Sequence, residues 1–335
     1  MSLTLDQVFA ARQAIAGIAD NTPLVPSPYL STRFGHEVLL KLELAQPIGA
    51  FKLRGALNAV AHLGPDVRGV TCSSSGNHGR GIAYAARTKG LSAIVCMSRL
   101  VPQTKVDGIR ALGAEARIIG QNQEEAQAEA DRLAAEEGLI DISPFDDPHV
   151  IAGQGTIGLE LLEARPDLTT LLVPLSGGGL AGGIALAAKT IKPSIRVIGI
   201  TMDRGAAMHA SIAAGRPVDV DEYPSLADAL GGGIGADNRY SLDLCSRHLD
   251  ETVLVSEREI YRALQTIYYE DQIVCEGSCV VGIAALLSGK ITLQGPAAAV
   301  ITGRNIDMVR HADIMQGKDI VLGDYTVSGE PYSRA

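Results

Sequence analysis

The sequence predicts an α/β protein of two domains, each an open, mostly parallel sheet flanked by helices. Three observations lead there. Short apolar runs alternate with longer amphipathic ones along the whole chain. The strand candidates are apolar at consecutive positions, as suits sheets covered on both faces. The length, 335 residues, is enough for two cores of roughly 100–200 residues each.

In chain order, the strand candidates cover residues 38–42, 69–72, 91–97, 115–119, 170–174, 196–201 and 297–302. Ala-rich helical stretches lie between them, at 53–63, 77–89, 103–112, 123–137, 154–164, 180–191, 257–268 and 278–288. No internal repeat or low-complexity linker interrupts the pattern. The clearest punctuation is Pro144-Phe145-Asp146-Asp147-Pro148, which reads as the chain crossing between domains. The expected division is a large domain of residues 1–60 and 148–325, a small domain of 61–147, and a tail of 326–335. From about residue 318 the chain reads as an irregular extension.

Composition excludes several classes of function. A net charge of −9 with no basic block argues against a nucleic-acid partner. No apolar run reaches the ~18 residues of a membrane span, and the first residues lack the pattern of a signal peptide. Cys72, Cys96, Cys245, Cys275 and Cys279 are scattered and form no C-x-x-C pair, so buried free thiols in a cytoplasmic protein are expected. Aromatic residues make up 4% with no Trp, so stacking platforms for bases or sugars are not expected.

The first chemical motif is Pro174-Leu175-Ser176-Gly177-Gly178-Gly179-Leu180-Ala181-Gly182-Gly183, after a strand and opening a helix. Consecutive glycines let backbone amides approach an anion, and a helix N-terminus adds positive potential. A phosphate is the natural ligand. The segment alone is ambiguous: Gly177, Gly179 and Gly182 also satisfy the dinucleotide G-x-G-x-x-G pattern, and Asp203 stands where a ribose-binding acid would.

Two further segments bear on this choice. One is Gln46-Pro47-Ile48-Gly49-Ala50-Phe51-Lys52-Leu53-Arg54-Gly55-Ala56; the other is Ser73-Ser74-Ser75-Gly76-Asn77-His78-Gly79-Arg80-Gly81. With the glycine loop they form an ordered set that resembles the fold type II pyridoxal 5′-phosphate (PLP) enzymes, the tryptophan synthase β-like fold, in the threonine dehydratase and serine racemase branch. The resemblance runs from Asn21-Thr22-Pro23-Leu24 to Thr302-Gly303-Arg304-Asn305-Ile306-Asp307 and includes the run from Ile151 to Gly158.

The resemblance implies roles. Lys52, beside Phe51, would carry PLP as a Schiff base, which asks for an amine whose pKa is lowered by its surroundings. Ser176, Gly177, Gly178, Gly179 and Leu180 would hold the phosphate, with Ser176 replacing a more usual glycine. Asn77 would hydrogen-bond the phenolic oxygen. Ser74, Ser75, Gly76, Asn77 and His78 would receive the substrate carboxylate, with Ser75 opposite the lysine as a second acid–base group and His78 as a structural helper. Glu276 would lie near the cofactor. Thr302 would meet the pyridine nitrogen with a neutral hydroxyl, which makes the ring a weaker electron sink and suits elimination. Many relatives bind a divalent cation with a glutamate just after the strand at 196–200. Thr201 stands there, Gly205 and Ala207 follow, and no metal is expected.

The implied activity is PLP-dependent elimination of water from a small β-hydroxy amino acid by a cytoplasmic homodimer. With the chain ending near residue 335, no C-terminal regulatory domain is expected. Cys96-Met97-Ser98-Arg99-Leu100-Val101-Pro102 and the stretch from Thr302 to Met308 look like hydroxyectoine-utilisation dehydratases. Threonine or serine deamination, and racemisation through Ser75, are the alternatives within the family. Outside it stand a nicotinamide oxidoreductase built on the glycine loop and a non-catalytic PLP-binding sensor.

Overall fold

The computed structural model describes residues 3–334. The chain leads in through α1 (Leu5–Ile15), β1 (Leu24–Pro26), α2 (Pro28–Phe34), β2 (Val38–Leu42) and α3 (Lys52–Ala61). It continues through β3 (Gly69–Ser73), α4 (Asn77–Lys89), β4 (Ser92–Met97), α5 (Gln103–Ala111), β5 (Glu115–Ile118), α6 (Gln123–Glu137) and β6 (Ile140–Asp141). Next come α7 (Pro148–Ala164), β7 (Thr170–Pro174), α8 (Gly179–Ile191), β8 (Arg196–Met202), α9 (Ala207–Ala214), α10 (Ser241–His248), β9 (Glu251–Val255) and α11 (Glu257–Asp271). The last elements are α12 (Val281–Leu287), β10 (Ala297–Ile301), α13 (Met308–Met315), β11 (Ile320–Leu322) and β12 (Tyr325–Val327).

Two sheets carry the architecture. The larger has six strands in the order β1-β2-β10-β7-β8-β9, parallel except for β1 against β2. The smaller has four parallel strands in the order β5-β4-β3-β6. Every residue of β7 and β10 is buried, as consecutive apolar runs demand when helices cover both faces. The smaller sheet is shallower at its edges, where both residues of β6 are exposed.

Local chemistry sets the helix ends. Asn122 caps α6 by accepting from the Glu125 amide, and Gly138 closes it in the left-handed region at φ 69°. The helix expected from residue 154 begins at Pro148. Asp147 accepts from the His149 and Val150 amides there, and proline at the first turn has no amide to leave unpaired. The stretch at 278–288 splits into a 3₁₀ turn, Gly277–Cys279, and α12. The extension expected after residue 318 is ordered instead as the β11–β12 hairpin. Beyond it Glu330 pairs with Arg258 and Arg262 of α11, and Arg334 with Glu270. A boundary between 325 and 326 would cut β12.

Beneath the junction of β2, α3 and α7 lies a buried charge cluster. Arg54 bonds Glu43 at 2.8 Å and Glu160 at 2.6 Å, and Lys41 bonds Glu160 at 2.5 Å. Arg54 and Glu43 are at most 1% exposed. Burial alone would raise the Glu43 carboxyl, but the Arg54 guanidinium overrules it and holds the pKa below the ordinary value.

Candidate active site

The C-terminal ends of strands from both sheets face one cleft of about 540 Å³. Phe51 and Lys52, the loop from Ser73 to His78, Ser176 to Leu180, Glu276 and Thr302 all line it, so every residue given a role in the expected PLP site converges here.

Lys52 is the first residue of α3, and its Nζ donates to the Pro144 carbonyl at 2.6 Å. No carboxylate among the described residues pairs with it, and desolvation brings its ammonium down to about 8. The backbone holding it is tied to the end of β10, because the Phe51 amide donates to Thr302 O at 3.0 Å. Thr302 is 3% exposed, and its hydroxyl makes no hydrogen bond within the described chain.

On the facing side, α4 begins at Asn77 with Gly76 as N-cap, so the first amides of a 13-residue helix open towards the cleft. Ser74 Oγ accepts from the Gly76 amide at 3.3 Å, which shapes the loop. The Ser75 hydroxyl has no partner among the described residues. His78 is buried, its Nε2 lies 2.7 Å from Ile142 O, and its pKa falls to about 3 through burial and the charge of Lys52. It is therefore a neutral ring whose Nε2 carries the proton, pinned to the backbone.

Asn77 is held from both ends of its amide. Its Nδ2 donates to Glu276 Oε1 at 2.9 Å, and its Oδ1 accepts from Asn305 Nδ2 at 2.6 Å. Burial, then the nearby charge of Asp228, pushes Glu276 up to about 7. Asn305 stands inside the quoted motif after Thr302, but no feature of the sequence signalled its bond to Asn77. The wall from Glu222 to Gly233 was also missed, although the run Gly231-Gly232-Gly233 was a visible sign of close backbone approach. Arg304 is exposed, does not line the cleft, and is tied to Gly49 only through its backbone amide.

The glycine loop sits between β7 and α8. Gly178 takes φ 87°, a conformation side chains disfavour. A Cβ at Gly177 would come within 2.3 Å of the Phe145 ring, and one at Gly179 within 2.6 Å of Phe145 O. A Cβ at Gly182 would meet Leu244 Cβ at 3.0 Å, so the third glycine of the dinucleotide pattern serves packing against α10. Asp203 does not line the cleft.

This donor set fits PLP. An amine softened by burial, amides at the start of α8, the Asn77 side chain and the Thr302 hydroxyl match its aldehyde, phosphate, phenolic oxygen and ring nitrogen. The carboxylate expected of a cation site is missing at the end of β8, where Thr201 stands. Thr201 is inside the strand, with its hydroxyl on Met202 Sδ at 3.4 Å. No group of three or more His, Cys, Asp or Glu among the described residues is placed to hold a metal.

Comparison with known proteins agrees with this geometry. Residues 15–303 match the family model described as pyridoxal-phosphate dependent enzyme. A Sinorhizobium fredii protein named "Putative threonine dehydratase" is 51% identical over 319 residues, covering 94% of this chain and 96% of that one. The L-threonine ammonia-lyase of Thermotoga maritima is 38% identical over 309 residues, 91% of this chain and 76% of that one. Maize serine racemase superposes with a TM-score of 0.88 at 30% identity, over 94% of this chain and 98% of that one. With its lysine, glycine loop and neutral hydroxyl in one cleft, the chain belongs to the pyridoxal-phosphate dependent enzymes, takes PLP as its cofactor and is a lyase of the ammonia-lyase type.

Proposed function

We propose that this enzyme eliminates water from a small β-hydroxy amino acid, threonine or serine first, to give a keto acid and ammonia. The observation that carries the reading is the Lys52 amine, uncompensated by any carboxylate and brought down to about 8, across a cleft from the amides that open α4. A base must be neutral at working pH to take a proton, and Lys52 is near that balance.

PLP, when bound, supplies an imine-forming carbonyl and an electron sink for the electrons left at Cα. The chain's residues do the rest. The Asn77 amide and the Ser74 and Ser75 hydroxyls receive the carboxylate on the loop that the Gly76 amide braces. Lys52 removes the α-proton on its side. The Ser75 hydroxyl, without a hydrogen-bond partner among the described residues, relays a proton to the departing β-hydroxyl and regains one from solvent. Asn77, fixed by Glu276 and Asn305, aims its remaining N–H at the phenolic oxygen. The neutral Thr302 hydroxyl leaves the ring nitrogen without the proton a carboxylate would hold there, which favours prompt loss of the leaving group over storage of charge.

A second substrate reading has its own observation. The Glu222 and Asp228 carboxylates line the cleft and would suit a distal ammonium, as in a 3-hydroxy-2,4-diaminobutyrate derived from hydroxyectoine. The test is keto-acid and ammonia release from threonine, serine, 3-hydroxyaspartate and 3-hydroxy-2,4-diaminobutyrate, with chiral analysis of remaining serine. Turnover of none of them sinks the elimination; inversion of serine without ammonia would assign racemisation. A cytoplasmic homodimer belongs to the same reading, supported by five buried free cysteines and by exposed Met308 and Val309 on α13. Sedimentation at micromolar concentration checks the dimer.

A further inference from the structure

One wall of the cleft has no regular structure to hold it. Residues 217–225 form no helix, strand or turn, yet Glu222, Tyr223, Pro224 and Ser225 line the cleft. Their position has to come from outside contacts. Leu226 N donates to Glu257 Oε2 at 2.8 Å, and Ala227 N to Ser225 Oγ at 2.9 Å. The Gly323 turn of the β11–β12 hairpin packs on Pro224, where an added Cβ would lie 3.2 Å from Pro224 Cγ.

Arg204 stands between these parts. It follows β8, and its Cζ lies 4.7 Å from the Tyr223 ring centroid and 4.7 Å from that of Tyr325 in β12. Its Nη1 is shielded from solvent and makes no hydrogen bond. Its nearest carboxylate is Asp324 at 3.8 Å, on a side chain 88% exposed. A guanidinium with one buried, unbonded nitrogen and so weak a counter-charge gains from other compensation. The two aromatic rings supply it, each within 4.7 Å of the guanidinium carbon, an interaction that a guanidinium makes well and an ammonium makes poorly.

We propose that Arg204 is a positioning residue for the active-site wall: clamped between Tyr223 and Tyr325, it ties the segment from Glu222 to Ala227 to the C-terminal hairpin and so sets where Glu222 and Asp228 face the substrate. The statement about substrate rests on the proposed elimination; the clamp itself does not.

Two measurements on the PLP-loaded enzyme separate the two. The first is hydrogen exchange without substrate. In Arg204→Ala the Leu226 and Ala227 amides exchange about tenfold faster while β7 and β8 are unchanged. Tyr325→Leu, which removes one face of the clamp and touches nothing in the cleft, gives the same pattern at smaller amplitude. The second is steady-state kinetics on the best hydroxy amino acid. Arg204→Ala raises KM about fivefold and leaves kcat within about twofold, and Arg204→Lys recovers only part of the loss. Unchanged exchange at 226 and 227, or equal acceleration over the whole molecule, overturns the clamp. Full recovery by lysine overturns the stacking and leaves charge alone. If the wild-type enzyme turns over no hydroxy amino acid, the elimination falls, and the exchange experiment still decides the clamp.

Discussion

Lys41 and Lys52 lie close in sequence, and burial lowers the pKa of both, yet their surroundings assign them opposite work. Lys41 meets Glu160 at 2.5 Å and the Thr22 carbonyl at 2.7 Å, inside the cluster completed by Arg54 and Glu43. Lys52 has the Pro144 carbonyl and, 5.4 Å away, the Phe51 ring, with no carboxylate among the described residues bonded to it. Around Lys41 the desolvation of charge is answered by opposite charge, so the group is locked. Around Lys52 it is left unanswered, so the amine can give up its proton at working pH. What marks a buried lysine as chemical is a missing carboxylate.

Substitutions at the two sites separate the roles of the two lysines. Lys52→Ala is expected to cost about 10³-fold or more in turnover and to abolish the colour of bound cofactor, while the thermal midpoint of the protein stays near that of the wild type. Residual activity near wild type would end the assignment. Glu160→Gln should do the reverse. It strands Arg54 and Lys41 with too little negative charge, for a loss of about 3–5 kcal/mol in denaturant unfolding, with kcat per folded molecule unchanged.

Glu276 is a buried acid that, like Lys52, lacks an opposite charge bonded to it. Its folded pKa of about 7 lies above the ordinary value of 4.5, so the fold prefers the neutral acid. That preference stabilises fully below about 4.5 and is lost as pH rises through 7. Relative to Glu276→Gln, the wild type should lose on the order of 3 kcal/mol across this window. The same variant should remove any kcat/KM limb near pH 7 that reaches the cofactor through Asn77. Parallel stability curves for the two proteins would show that Glu276 does not titrate there. The smallest expected effect is that of a chelator: dialysis against EDTA should leave kcat/KM unchanged, and a loss restored by magnesium would place a cation that Thr201, Gly205 and Ala207 give no reason to expect.

The sequence made the local features legible. Helices at 77–89 and 123–137 match α4 and α6 because caps and glycine stops bound them. Lys52, Asn77, the loop from Ser176 to Gly179 and Thr302 were readable as an ordered set, and the fold brings them to one cleft. Features that depend on distant partners were not readable. Glu160 is an ordinary helical glutamate until the fold places it beside Lys41, 119 residues earlier. β9 escaped notice because its apolar run is only Val253-Leu254-Val255 behind Glu251 and Thr252, and four of its five residues are only half-buried. The start of α7 was hidden by reading Pro144 to Pro148 only as punctuation, although Asp147 before Pro148 is itself a helix-start signal.

The contact between Phe145 and the glycine loop bears on how the loop can be probed. Alanine scanning treats glycine-to-alanine as a small loss of backbone freedom, and a fall in cofactor affinity would normally be charged to the phosphate contacts. Here a methyl group at Gly177 would first strike the Phe145 ring, on the segment whose Pro144 carbonyl holds the Lys52 amine. Such a variant would move the base and the phosphate loop together. Gly177→Ala and Gly179→Ala therefore report on the Phe145 segment, and a scan that omits Phe145 would credit the wrong group with holding the cofactor.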